Sequence, residues 1–208
     1  MKEAAVVRPA GQQAMTTVAI NVSTASDEQR VIDLIVLAFS ADPAARRMFP
    51  DPTQYLRNFP KFVKAFGGKA FRHRTAYHID GFLGAALWLP PDVRPDEEPL
   101  AVLIEETVAD PVRHEVFAVI EQMASHHPRE PHWYLPLIGV DPIQQGKGLG
   151  SALMRHALSR CDREKELAYL ESSNAKNIPL YEREGFERIG TIQGGTWPPL
   201  YPMVRTPR

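Results

Sequence analysis

Gln145-Gly146-Lys147-Gly148-Leu149-Gly150-Ser151 combines glycines, a lysine and polar side chains at one junction. An apolar segment, Leu135 to Val140, precedes it, and Leu149, Leu153, Ala157 and Leu158 recur at helical spacing within and after it. The order reads strand, glycine-rich turn, helix. A helix start leaves about four backbone N–H groups without intrahelical partners. Aligned peptide dipoles add roughly half a positive charge there. Glycines keep side chains away from those donors, and Lys147 supplies a mobile cation. The chemistry on offer is the cradling of a phosphate or pyrophosphate.

Two common phosphate-binding patterns fail. Lys147 is followed by Gly148 where a nucleotide-triphosphate loop needs Ser or Thr, and Asp141 stands where its first glycine belongs. Gly146 and Gly148 fit the dinucleotide pattern, but Ser151 takes the third glycine's place and no acidic ribose ligand follows on a suitable strand. The pattern that fits is Q/R-x-x-G-x-G/A, as Gln145, Gly148 and Gly150. Val140-Asp141-Pro142 precedes it, Glu171-Ser172-Ser173-Asn174 closes a second strand, and Leu180-Tyr181-Glu182-Arg183-Glu184-Gly185-Phe186 follows. These motifs, in this order, resemble the GNAT superfamily of acyl-CoA-dependent N-acetyltransferases. Within it, the sequence from His132 to Met154 and the later Leu180–Phe186 are most similar to the puromycin N-acetyltransferase-like branch.

The resemblance implies acetyl-CoA as co-substrate, with no metal. Gln145, Gly146, Lys147, Gly148, Leu149, Gly150 and Ser151 would hold its pyrophosphate. Ile138, Gly139 and Val140 would bond its pantetheine arm as if to an added strand. Asn174 would contact a cofactor amide, and Tyr181 would offer its hydroxyl to the departing thiolate, a base of comparable strength. Tyr181 could instead be an amphipathic anchor of its helix. Glu171 is the first candidate for the base that takes a proton from the amine, its alternative being a solvent-facing strand residue or an arginine's partner. Glu105, Glu106 and His132 are weaker candidates. Cys161, among Ser159, Arg160, Asp162 and Arg163, reads as structural.

The elements that must position these residues follow from periodicity and punctuation. Thr16–Val22 reads as a strand. A helix follows, started by Thr24 or Ser26 and facing inward through Val31, Leu34, Ile35 and Ala38. A second helix spans Thr53 to Phe66, with an aromatic stripe (Phe59, Phe62, Phe66) that reads as core or as a substrate wall. Arg46, Arg47, Phe49 and Tyr55 are either acceptor contacts or a solvated loop and helix start. A hairpin is expected around Asp80-Gly81, then an exposed loop over Asp92–Glu98 and helices over Leu100–Val108 and Val112–Ser125. His126-His127 reads as a solvated turn. Glu187–Gln193 and Thr196–Val204 read as final strands, the prolines pointing to an edge strand or a splayed terminal hairpin.

Composition sets the remaining bounds. The chain has 208 residues, a net charge of -1 and one cysteine. That balance favours neither nucleic acid nor an anionic membrane, and no disulfide framework can form within the chain. No secretory signal opens it, and no apolar run approaches the ~18 residues of a membrane span. A cytoplasmic protein is expected. The fold class is α/β (α+β): a mixed, mostly antiparallel twisted sheet flanked by helices, with residues 1–14 a tail and 15–208 one acetyltransferase domain. The expected partner is a small-molecule primary amine, acetylated by direct transfer in a ternary complex. A peptide or protein N-acetyltransferase and a non-catalytic acyl-CoA sensor are the alternatives. Oligomeric state, a homodimer included, stays open.

Overall fold

In the computed structural model, residues 18–208 are described. The tail expected over 1–14 and the first residues of the strand expected from Thr16 lie outside them. β1 (Ile20–Val22), β2 (Ala76–Ile79), β3 (Gly84–Leu89) and β4 (His132–Val140) pair antiparallel in turn. β4 runs parallel to β5 (Leu167–Ser172), which pairs antiparallel with β7 (Tyr201–Arg205), and β6 (Glu187–Arg188) lies outermost. The result is a mixed, mostly antiparallel sheet flanked by helices, the α/β class expected.

The central strands are apolar throughout because both faces of the sheet are covered. On one face, α1 (Glu28–Ala38), α2 (Pro43–Met48), α3 (Pro52–Gly67), α5 (Glu97–Thr107) and α6 (Asp110–His126) pack through Ile35, Phe59, Ile104 and Val116 onto Leu87 and Leu137. The short α4 (Lys69–Arg72) joins α3 to β2. On the other face, α7 (Leu149–Glu164) and α8 (Ile178–Arg183) pack through Leu153, Met154, Leu158 and Tyr181 onto Trp88, Trp133 and Leu170. Neighbours Leu87 and Trp88 thus serve opposite faces, as strand pleating requires. Asp42 and Asp51 cap α2 and α3, each followed by a proline in the first helical position.

Two features shape the site. Pairing between β4 and β5 stops at Tyr134↔Tyr169, although β4 runs on to Val140 and stays paired with β3 as far as Gly84↔Val140. The two strands splay, so Leu135 to Val140 leave one backbone edge without a strand partner. Second, β3 and β4 are adjacent antiparallel strands that a tight hairpin could join. The chain instead makes an excursion over residues 90–131 that carries α5 and α6. That hairpin of helices becomes the wall of a cavity.

Several expectations are corrected. The β2–β3 connection is not a two-residue turn: residues 80–83 form it, with both Gly81 (φ 74°) and Phe82 (φ 59°) left-handed, so β3 begins at Gly84. α5 already starts at Glu97, within the expected loop. The final strands are shorter than read, β6 covering Glu187–Arg188 alone. The proline-bearing β7 lies inside the sheet, not at its edge. Pro202 faces the chain just past the two-residue β6, where its carbonyl accepts from Ile189 N at 2.9 Å, so its missing donor falls outside the β6–β7 ladder.

Candidate active site

The turn between β4 and α7 has the build of an anion site. Asp141 ends β4 and its Oδ1 accepts from Ile143 N at 3.0 Å. Gln145 Nε2 donates back to Val140 O at 3.2 Å, and Lys147 Nζ donates to Gln144 Oε1 at 2.8 Å. Gly146 and Gly148 are left-handed, at φ 75° and 80°, and a Cβ on either would stand in open space. That space is kept clear beside the start of α7. Ala152 N is the first donor to find an intrahelical acceptor, Gly148 O at 3.0 Å. The N–H groups of Leu149, Gly150 and Ser151 lack such partners, no side chain caps them, and no acidic residue stands in the first turn. Gly150 has another reason to be glycine: a Cβ there would press on Leu180 at 3.2 Å, holding α8 away. Gly139 is similar, since its Cβ would meet that of Ala38 at 2.6 Å, so α1 lies close under β4. These residues fit an acyl-CoA: open glycines and free donors for its pyrophosphate, and an unpaired strand edge for its arm.

Where β4 and β5 part, two connected cavities open on the sheet face that carries α1 to α6. The smaller, about 90 Å³, includes Asp42, Glu171, Ser173, Phe59 and Phe62 in its lining. The larger, about 570 Å³, is walled by α5, α6 and the segments flanking them, with Arg94, Glu97, His127 and His132 among its lining. Phe66, Leu100, Ile120, Met123 and Tyr134 belong to both.

Glu171 is the chemical centre of this face. Its side chain is 3% exposed, and its Oε1 is buried without a hydrogen bond. Burial pushes its pKa up to about 7, while the Tyr134 and Tyr169 hydroxyls pull the other way. His127 Nε2 lies 3.5 Å from Oε1. Burial, His132 and Arg94 hold the His127 pKa down to about 4, so the ring is neutral at physiological pH. Across the smaller cavity, Asp42 accepts from Ala44 N and Ala45 N, both at 3.0 Å, and from Ser173 Oγ at 2.6 Å. Burial raises its pKa against these hydrogen bonds. Tyr181 is buried, and its pKa is raised by burial first and then by the Asp42 charge.

The structure brings Glu171, Asp42 and Ser173 to one cavity, with Tyr181 near enough to feel Asp42. Asn174 stands two residues beyond β5 and spends its Oδ1 on Lys176 N at 3.1 Å. Leu149 and Ser151 are buried, so their part in the turn is played by backbone. Ile138 and Val140 are partly buried on the splayed edge. Glu105 and Glu106 are exposed on α5, away from the cavity linings. Phe49 and Tyr55 are neither acceptor contacts nor solvated: both are buried, and the Tyr55 hydroxyl donates to Val36 O at 2.6 Å. Arg47 pairs with Glu115 at 2.9 Å. Of the aromatic stripe of α3, Phe59 is buried in the core, and Phe59, Phe62 and Phe66 all border the smaller cavity. Cys161 is buried and its thiol is pushed up to about 12, which suits a structural role. Asp42, Ser173, Tyr134, Tyr169 and His127 were not among the residues singled out. His127 in particular is no solvated turn residue, because its ring packs against Tyr134 and Tyr169 at 4.7 and 4.5 Å between centroids.

Comparison with known proteins supplies the family. The sequence profile of the acetyltransferase (GNAT) family matches residues 70–186, more than half of the chain. An uncharacterised N-acetyltransferase of Schizosaccharomyces pombe is 39% identical over 83 residues, which are 38% of this chain and 34% of that protein. A mycothiol acetyltransferase of Saccharomonospora viridis is 42% identical over 59 residues, 26% of this chain and 19% of that one. A kanamycin resistance protein of Rhizobium radiobacter is 37% identical over 67 residues, 30% of this chain and 61% of that one. The chain therefore aligns with a third or less of the length of the first two relatives. Among solved structures, a protein described as histone acetyltransferase HPA2 and related acetyltransferase from Corynebacterium glutamicum superposes over 92% of this chain and 97% of its own, with TM-score 0.67 and 24% identity. Arylalkylamine N-acetyltransferase 2 of Aedes aegypti superposes over 92% and 100%, with TM-score 0.65 and 12% identity. At such identities the superpositions speak for the fold. Among the described residues no helix is long and apolar enough to cross a membrane. With the profile spanning most of the sheet and both motif regions, the chain belongs to the acetyltransferase (GNAT) family.

Proposed function

We propose that residues 15–208 act as an acetyl-CoA-dependent N-acetyltransferase for a primary amine carried on a small, largely apolar molecule. The observation that carries this reading is a buried carboxyl, Glu171, in a small, mostly apolar cavity that shares Phe66, Leu100, Ile120, Met123 and Tyr134 with a neighbouring cavity of ligand size. A primary amine reaches such a site mostly as an ammonium ion and must lose a proton before it can attack. Glu171, with its pKa near 7, is ionised often enough to accept that proton and is matched to neutral pH as a base. When bound, acetyl-CoA supplies the activated acetyl group. The turn 145–151 would hold its pyrophosphate and the edge Ile138–Val140 its arm, with Asn174 beyond β5 beside it. Tyr181 protonates the leaving sulfur; its raised pKa keeps the hydroxyl protonated until a strong base forms next to it. Phe62, Phe66 and Met123 exclude water and grip the acceptor's body.

Two alternatives fit less well. A peptide acetyltransferase should offer an open acidic channel. Here Asp96 is paired with Lys69 at 3.0 Å and Glu105 and Glu106 are exposed on α5; the larger cavity is lined by Asp92, Glu97, Glu121 and Glu130, but also by Arg94 and Arg129 and by an apolar wall that includes Phe66, Leu100 and Phe117. A sensor has no use for a buried, unpaired carboxylate that costs stability. The named relatives include a mycothiol acetyltransferase and a kanamycin resistance protein, and the puromycin N-acetyltransferase-like motifs point to the same small-amine class. The test is a CoA-release assay across primary amines graded from polar to aromatic, with a lysine peptide alongside. Turnover should favour amines with apolar bodies; turnover of the peptide alone, or of no amine, would overturn the reading.

A further inference from the structure

A base that takes a proton at each turnover must also lose it, and Glu171 is nearly shut off from water. An acceptor whose body fills the larger cavity would close the remaining path. The geometry beside Glu171 supplies another. His127 Nε2 faces Glu171 Oε1 at 3.5 Å. His127 Nδ1 lies 2.9 Å from His132 Nε2, and His132 Nδ1 lies 2.8 Å from Glu130 O. The tautomers follow from the last contact. A carbonyl can only accept, so His132 Nδ1 carries hydrogen. Neutral His132 then has a bare Nε2, which accepts from the Nδ1–H of His127. Neutral His127 is left with a bare Nε2, and that lone pair points at Glu171.

Glu171 lines the smaller cavity, whereas both histidines line the larger one. We propose that Glu171, His127 and His132 form a proton-exit relay that discharges the base while the acceptor occupies the cavity. The proposal rests on Glu171 being the base. The acceptor's ammonium gives one proton to Glu171. The carboxylic acid passes its proton to His127 Nε2 as the Nδ1 proton of His127 moves to His132 Nε2. His132 is then a cation and gives its Nδ1 proton to water at the rim. One proton has travelled from amine to solvent, and no electrons have changed hands. Both rings end in the opposite tautomer and return by exchange with water once the product has left.

The surroundings suit a concerted passage. His127 is faced by Tyr134 from β4, Tyr169 and Glu171 from β5, His132, and Arg94 from the loop before α5. Arg94 and His132 disfavour a charge resting on His127, so the charge is better carried through to His132, which is half-exposed. Asp42 shares the smaller cavity with Glu171 but spends both oxygens on Ser173 and the start of α2, so it does not compete as an outlet. His127 and His132 line the cavity that the acceptor fills but take no part in the acetyl transfer itself; they act through Glu171, as positioning residues for the proton.

The test uses the full-length protein with its best acceptor and compares Glu171→Gln, His127→Phe and His132→Phe. Each histidine variant should lose about tenfold in kcat at pH 7, a part of what acid–base groups contribute. The acetyl-CoA Kd should stay within about twofold, which also serves as the folding control. Millimolar imidazole should restore part of the rate, and the deficit should narrow near pH 10, where about a quarter of a simple amine arrives neutral. The double variant should be no worse than His127→Phe. Independently of activity, nitrogen NMR of the wild-type rings should find both histidines protonated at Nδ1. If Glu171→Gln is impaired while His132→Phe keeps the wild-type kcat, or if either ring is protonated at Nε2 at rest, the relay is wrong and the base assignment stands. If Glu171→Gln itself runs at the wild-type rate, the base assignment falls and the relay with it.

Discussion

The two halves of the proposed site, one for the cofactor and one for the acceptor, are built in opposite ways. The half proposed to hold the cofactor, from Ile138 to Ser151, is one continuous stretch that offers its backbone: an unpaired strand edge, two left-handed glycines and the free donors of α7. The acceptor half is assembled from side chains on α2, α3, α5, α6, β4 and β5, with Asp42, His127, Tyr134 and Glu171 brought together only by the fold. The first is a device that many sequences could carry with small adjustments. The second depends on the excursion between β3 and β4, where chain length has been spent on a cavity instead of a turn. Changing a residue in one half should therefore damage one property and spare the other, and the experiments below are ordered by how strongly they separate the two.

The largest effect is expected from Gly148→Glu. A side chain would have to adopt φ near 80° and place a carboxylate beside free N–H donors, so acetyl-CoA affinity should fall at least about 100-fold, or about 2.7 kcal/mol. Calorimetry reads it; retained affinity would detach the cofactor from this turn. Glu171→Gln comes next, with kcat/KM lowered by roughly 10²–10³ at pH 7 in the CoA-release assay. The wild-type profile of kcat/KM should rise through a pKa near 7 that the variant lacks. Tyr181→Phe should be milder, about 10- to 100-fold in kcat, because water can replace a lost acid in part. A rate equal to wild type would leave Tyr181 as the helix anchor that its packing against Phe186, at 6.3 Å between rings, also permits.

The last effect is on stability, and its sign separates function from folding. The pKa of Glu171 is raised from 4.5 to about 7 in the fold. The native state therefore holds its proton longer than the unfolded chain. The penalty is absent below pH 4.5, grows as pH rises to 7 and is constant above, reaching ~3 kcal/mol for a group so deeply buried. Glu171→Gln should raise the melting midpoint at pH 8 by about 6–12 °C and leave it unchanged near pH 4. A variant that melts lower at pH 8 would mean that the carboxylate stabilises the fold, which is not what an unpaired buried charge should do.

The same division explains what the sequence disclosed. Gly146, Gly148 and Gly150 announce a turn because backbone geometry restricts residue choice locally, and the alternation and length of apolar runs announced the sheet and most helices. Glu171 could be suspected from its place just before Asn174, but its burial could not, because that depends on α3 and α6 lying over it. His127 gave no signal at all: beside His126, Pro128 and Arg129 it looks like a solvated turn, and only the packing of Tyr134 and Tyr169 gives it a different environment. Asp42, just before Pro43, reads in the sequence only as the end of the first helix; that it caps a second one is seen in the fold. That its carboxylate would also hold Ser173 was not legible, since the partner lies on the far side of the sheet's centre in sequence. The prolines of β7 misled for a physical reason, since a missing N–H marks an edge only where that N–H would face a partner.

The most direct measurement is a calorimetric titration of acetyl-CoA into the wild type and Glu171→Gln, followed by their turnover of one acceptor. Both proteins should bind acetyl-CoA with Kd values within about twofold, while turnover by the variant falls roughly 100-fold or more. Loss of acetyl-CoA binding in Glu171→Gln, or full turnover without it, would contradict the division of the site into a backbone cradle for the cofactor and a buried carboxyl for the amine.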